Sequence, residues 1–146
     1  MNRQDWLLLA IALDAEGLDP IRVQKAMFLF AQEGGPPTAE RYAFVAYNYG
    51  PMSRGVYRDV EGLVRRGLLE RRPVEGQRWS SLRATDAGHA RALERLDVAM
   101  AREPAVVARL REIVRTVQRL DFAGLLDIVY GRYPEYAERS VFRRRS

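Results

Sequence analysis

The stretch SRGVYRDVEGLVRRGLLERRPVEGQRWSSLR, residues 53–83, decides the fold. Ser53 suits a helix N-cap, a helix follows to Arg66, and Gly67 suits its C-terminal end. Leu68–Arg71 and Arg78–Arg83 read as two short strands, and residues 72–77 between them as a hairpin loop. At 3.6 residues per turn, Arg54, Arg58, Glu61 and Arg65 fall within a stripe of about 60°. Val56, Val60, Leu63 and Val64 occupy the opposite arc. The helix is therefore expected to bury one face and to offer the other.

Upstream, Tyr42–Tyr49 (YAFVAYNY) has no helical stripe and predicts a strand ended by Gly50-Pro51. Asp19-Pro20 opens a helix that runs through Glu33 and is nearly all apolar from Ala26 to Ala31. An earlier helix is expected from about Asn2 to Gly17. Its apolar middle predicts burial on all sides or sharing with a second subunit. Downstream, Thr85 caps a helix to about Ala101, and Pro104 opens another to Leu120. His89, Leu93, Leu96 and Met100, then Val106, Leu110, Ile113, Val117 and Leu120, step by threes and fours as packed seams do. A last helix spans Phe122 to Tyr130.

The order helix, strand, helix, two-stranded hairpin, helix predicts a mainly α (α+β) class: a winged-helix-like domain with a small antiparallel β-sheet and additional C-terminal helices. Residues 1–101 form that domain, 102–138 a helical extension packing on it, and 139–146 a basic tail.

The 146 residues carry a net charge of +5. Residues 1–53 are acidic on balance, and residues 54–83 set eight arginines against Asp59, Glu61, Glu70 and Glu75. Arg143-Arg144-Arg145 supplies most of the remaining excess. Every cation but Lys25 is arginine, a skew that a coding bias explains. Cysteine is absent, which excludes disulfides, thiolate metal sites and cysteine nucleophiles. The apolar run Trp6–Leu13 is flanked by Asp5 and Asp14, lacks a small-x-small cleavage site and is too short to span a bilayer. A cytoplasmic protein is expected, without membrane contact.

No phosphate-binding loop, dinucleotide fingerprint, nucleophile elbow or H-E-x-x-H motif occurs. The single histidine, His89, falls on the apolar stripe of its helix and reads as a packed residue. The chain is therefore expected to be no enzyme, with no cofactor and no metal. An arginine fork bonds a guanine edge or a phosphate bidentately, so Arg54, Arg58 and Arg65, with Arg71, Arg72 and Arg78 of the wing, form the candidate nucleic-acid surface. The same face also reads as a solvated one laced with Arg–Glu pairs. Roughly twenty residues separate the second and third helices, against the ~3–4 of a helix-turn-helix.

A protein-binding reading stands beside it. Tyr42, Phe44, Tyr47, Tyr49 and Trp79 fall on what should be one small sheet, and Tyr and Trp serve both cores and interfaces. Lys25 and Gln32 share a helix stripe with Phe28. Lys25, Gln32, Tyr47 and Tyr49 are the candidate partner-binding residues, and Val141-Phe142 adds an apolar end. A homodimer through the first helix or the seam helices is a further expectation.

Several of these stretches carry a resemblance. Val23-Gln24-Lys25-Ala26-Met27-Phe28-Leu29-Phe30 resembles the L-Q-K helix of the SocA-like, Panacea-type antitoxin domain and the related YwgA-like proteins. Tyr49-Gly50-Pro51-Met52-Ser53 resembles their Y-G-P-x-S turn, Arg66-Gly67-Leu68-Leu69 their G-L-[IL], and Thr85-x-x-Gly88 their T-x-x-G. Leu125–Tyr130 with Tyr133-Pro134-Glu135-Tyr136 looks like the end of the YwgA-like branch. The resemblance covers about residues 18–95 and this end. It implies a winged-helix-like fold without enzymatic activity and, for the Panacea type, an antitoxin that neutralises a toxin by direct contact. The YwgA-like branch brings no function with it.

Overall fold

Side-chain caps set where the helices begin in the computed structural model, which describes residues 1–141. Asn2 and Asp5 form a reciprocal capping box at the start of α1 (Arg3–Ala12). The Asp19 carboxylate accepts the Arg22 N–H and opens α2 (Pro20–Gln32), with Pro20 at the first position. Ser53, Thr85 and Asp121 do the same for α3 (Arg54–Arg65), α4 (Asp86–Arg102) and α6 (Phe122–Arg132). Pro104 begins α5 (Pro104–Arg119). The four strands are β1 (Val45–Tyr47), β2 (Gly50–Met52), β3 (Leu69–Pro73) and β4 (Ser80–Ala84). The described residues are thus mainly helical with two small antiparallel sheets, an α+β arrangement.

At the centre lies α1, whose Trp6 to Ile11 are all buried. It packs against α2, α3, α4 and α5 of the same chain, so its apolar circumference needs no second subunit. That corrects the expectation of a dimer through the first helix. The helix also stops at Ala12, short of Gly17, where the Asp14 side chain accepts the Glu16 N–H in a turn. Leu110 and Val117 of α5 and Leu125, Leu126, Val129 and Tyr130 of α6 are buried in the same continuous core. Arg22 ties α2 to α5 by donating Nε to the Val117 carbonyl at 3.1 Å.

In α4 the expected seam is displaced. Leu93 is 63% and Met100 47% exposed, His89 is exposed, and the buried stripe is Gly88, Ala92 and Ala99. At Gly88 the helix lies so close to the Leu68 carbonyl that no side chain fits, and of the expected seam only Leu96 packs, half-buried, against the core. The seam of α5 is where its spacing predicts, with Leu110, Ile113 and Val117 buried.

The strands also depart from expectation. Only Val45–Tyr47 of the Tyr42–Tyr49 run is strand, and Gly50-Pro51 starts β2 instead of ending the pairing. β1 and β2 form a tight hairpin with Tyr47 opposite Gly50, which adopts a left-handed φ of 91°. A Cβ there would also press on the Lys25 Cε at 3.2 Å, so the turn requires glycine twice over. β3 and β4 pair separately, Leu69 opposite Ala84 and Arg71 opposite Leu82. The five aromatics therefore do not share a sheet. Between α1 and α2, Leu18 bridges to Leu82 of β4 through two backbone hydrogen bonds of 2.8 and 3.0 Å.

The first residues of the expected tail are tied down, because the Val141 N–H donates to the Asn48 carbonyl and the Tyr130 hydroxyl to Ser140. Phe142 and Arg143–Arg145 lie outside the described residues. No helix among those described is long and apolar enough to cross a membrane.

Candidate functional site

The amphipathic pattern of α3 sets its orientation. Val56, Val60 and Leu63 face the core, while Arg54, Arg58, Glu61 and Arg65 are exposed together. Arg54, Arg58 and Arg65 form no ion pair or hydrogen bond among the described residues, and neither does Arg78 beside β4. The other two candidate arginines, on β3, are engaged. Arg71 pairs with Glu61, clasping the β3–β4 hairpin to α3, and Arg72 with Glu70 at 2.9 Å. The face thus combines unpaired arginines along α3 with Arg–Glu pairs on the β3–β4 hairpin.

Asp59 belongs to the same helix but points inward. It accepts hydrogen bonds from the Tyr42 hydroxyl at 2.6 Å and Gln4 Nε2 at 3.1 Å, and lies 3.5 Å from Arg3 Nε. Burial, reinforced by the hydrogen bond to Asp59, drives the Tyr42 pKa far upward, so the phenol stays protonated and donates. The Arg3 guanidinium stacks 4.6 Å from the centre of the Tyr42 ring. Asp59 consequently offsets Arg3 and pairs with neither Arg54 nor Arg58 among the described residues. Arg3, some fifty residues away in sequence, joins Arg54 and Arg58 around a cleft of about 420 Å³ between the β1–β2 hairpin and α3. Nothing in the local pattern of Arg3 signals this placement.

The candidate partner-binding residues separate. Lys25 is 3% exposed and donates Nζ to the Pro51 carbonyl at 3.2 Å. Burial lowers its pKa to about 8, against a smaller upward pull from Asp19. It cannot form part of an exposed binding surface, which corrects that expectation. Beside it, the buried Gln24 amide donates to the Ser53 carbonyl and accepts the Ser53 N–H. The Gln24-Lys25 and Gly50–Ser53 stretches therefore meet as architecture, holding the hairpin onto α2. Gln32 is exposed at the end of α2. Tyr47 and Tyr49 are 49% and 45% exposed at the tip of the β1–β2 hairpin, Tyr49 with its ring against Phe122.

No protein-family model matches the chain, and no curated protein matches it.

Proposed function

We propose that this is a non-enzymatic, winged-helix-like binding protein with a regulatory role in the cytoplasm, and that α3 contacts duplex DNA. The chain order supports the winged-helix reading. A bridging residue between the first two helices, Leu18, pairs with the second strand of the hairpin that follows the third helix. On this reading the β1–β2 hairpin is an insertion between the second and third helices, which accounts for the long separation noted in the sequence. The third helix is then the one offered to a major groove, with the wing near the backbone.

The observation that carries the DNA contact is the row of exposed, unpaired arginines Arg54, Arg58 and Arg65 on one helical face. Such a row is available to phosphates and guanine edges without breaking an existing pair. Titration of a labelled duplex at two salt concentrations tests it. Binding should weaken with salt at a log–log slope of about −0.9 per phosphate neutralised, and Arg58→Gln should flatten that slope by about one unit. Absence of binding at low salt overturns the DNA contact. The second reading then stands: an antitoxin-like protein-binding module, favoured by the exposed Val45, Tyr47 and Tyr49 on the hairpin.

A further inference from the structure

The cleft at the start of α3 differs in chemistry from the rest of the basic face. Three arginines line it, Arg3, Arg54 and Arg58, and no acidic residue among those described does. Its remaining wall is small or apolar, including Val45 and Met52 of the hairpin. Arg3 is held in place from behind by the Tyr42 ring and by Asp59, whose other lone pairs are occupied by Tyr42 and Gln4. It approaches the helix closely because residue 55 is glycine. A Cβ at that position would stand 3.2 Å from the Arg3 guanidinium and 3.1 Å from the Tyr42 ring. A glycine inside a helix costs roughly 0.5–1 kcal/mol relative to alanine. Here it leaves room for Arg3 and the Tyr42 ring beside the first turn of α3.

We propose that this cleft is a phosphoryl-binding site, with Arg3, Arg54 and Arg58 as its ligating residues. Three arginines on two elements surround a pocket larger than one phosphate, and each presents N–H donors that match phosphoryl oxygens. The partial neutralisation of Arg3 by Asp59 leaves an excess positive charge for a di-anion. Arg65 and Arg78, which line no such cleft, give exposed charge only. The phosphoryl group can come from a nucleic-acid backbone or from a small phosphorylated ligand, and the site itself depends on neither source.

Inorganic phosphate is the probe, titrated into the full chain at constant ionic strength with chloride as the balancing anion. The amide resonances of Arg54, Gly55 and Val56 should shift saturably. The Arg54→Gln/Arg58→Gln double variant should weaken the affinity at least tenfold, while Arg111→Gln, an exposed charge on α5, should leave it unchanged. Arg3→Gln should weaken it too, with the fold checked by the unshifted resonances of α5. Shifts that are absent or non-saturating, or an affinity equal in the double variant and the wild type, overturn the proposal. Competition identifies the source. A short duplex that displaces phosphate assigns the site to a DNA backbone. Displacement by a nucleoside monophosphate but not by the duplex assigns it to a small ligand, supporting the cleft while removing the DNA contact.

Discussion

Lys25 is the residue whose environment and chemistry conflict most. Its ammonium is buried with, among the described residues, one hydrogen bond, to the Pro51 carbonyl, and the longer-range attraction of Asp19 to offset desolvation. The nearby Tyr130 is also buried, and its phenol is pushed up in pKa and stays neutral. The folded-state pKa of Lys25, about 8, lies below its ordinary 10.5. Between these two values the unfolded chain binds more protons, so this residue makes the protein more stable as pH rises. At 1.36 kcal/mol per pKa unit, the change is roughly 3 kcal/mol. Lys25→Met removes it. Urea denaturation of both proteins from pH 7 to pH 10.5 should show the wild type gaining on the variant by about that amount. The opposing effect of Tyr42, whose raised pKa costs stability in strong base, is common to both and cancels. A stability difference independent of pH would refute the assignment.

Among the elements, α4 shows most clearly how a helix can mislead. Two of its large apolar residues, Leu93 and Met100, are exposed, Leu96 is half-buried against the core, and its fully buried positions are glycine and alanine. The cause is the approach of α4 to the end of α3 and β3: a Cβ on Gly88 would stand 1.9 Å from the Leu68 carbonyl oxygen. Gly88→Ala must push α4 outward, and a loss of about 1–3 kcal/mol is expected despite the gain in helix propensity. Leu93→Ser should change stability by no more than about 0.5 kcal/mol. Thermal unfolding of the two variants separates them, and equal losses would contradict the packing described. Spacing identified the buried face of α5 because large residues line it, and that of α3 because its charged and apolar arcs are opposed. Spacing failed where close approach selects small side chains, as in α4. It failed again where a pairing is made by a single distant residue, as with Leu18 and Leu82. The candidate site divides on the same line. Its helical arginines were legible from α3 alone, whereas the inward turn of Asp59 and the arrival of Arg3 depend on tertiary contact with α1.

At the scale of the whole molecule, the basic excess is distributed by its pairings as much as by its sequence. Glu61 and Glu70 hold Arg71 and Arg72, so the β3–β4 hairpin presents less free charge than its composition promises. The Glu61–Arg71 pair has both side chains substantially exposed, and pairs of this kind contribute little stability, of the order of 0–1 kcal/mol. Its larger consequence is electrostatic. It withdraws one arginine from any polyanion approaching α3 and ties the middle of β3 to the helix. Glu61→Gln should therefore leave the melting temperature nearly unchanged while releasing Arg71. If α3 and the wing face one duplex, the variant should bind it more tightly at low salt, with a salt slope steeper by about 0.9. Adding Arg71→Gln to Glu61→Gln should return the slope to its wild-type value. A steeper slope that persists in the double variant would mean that removal of the Glu61 charge acts without Arg71. An unchanged slope in both would place the wing outside the contact and confine binding to the arginines of α3.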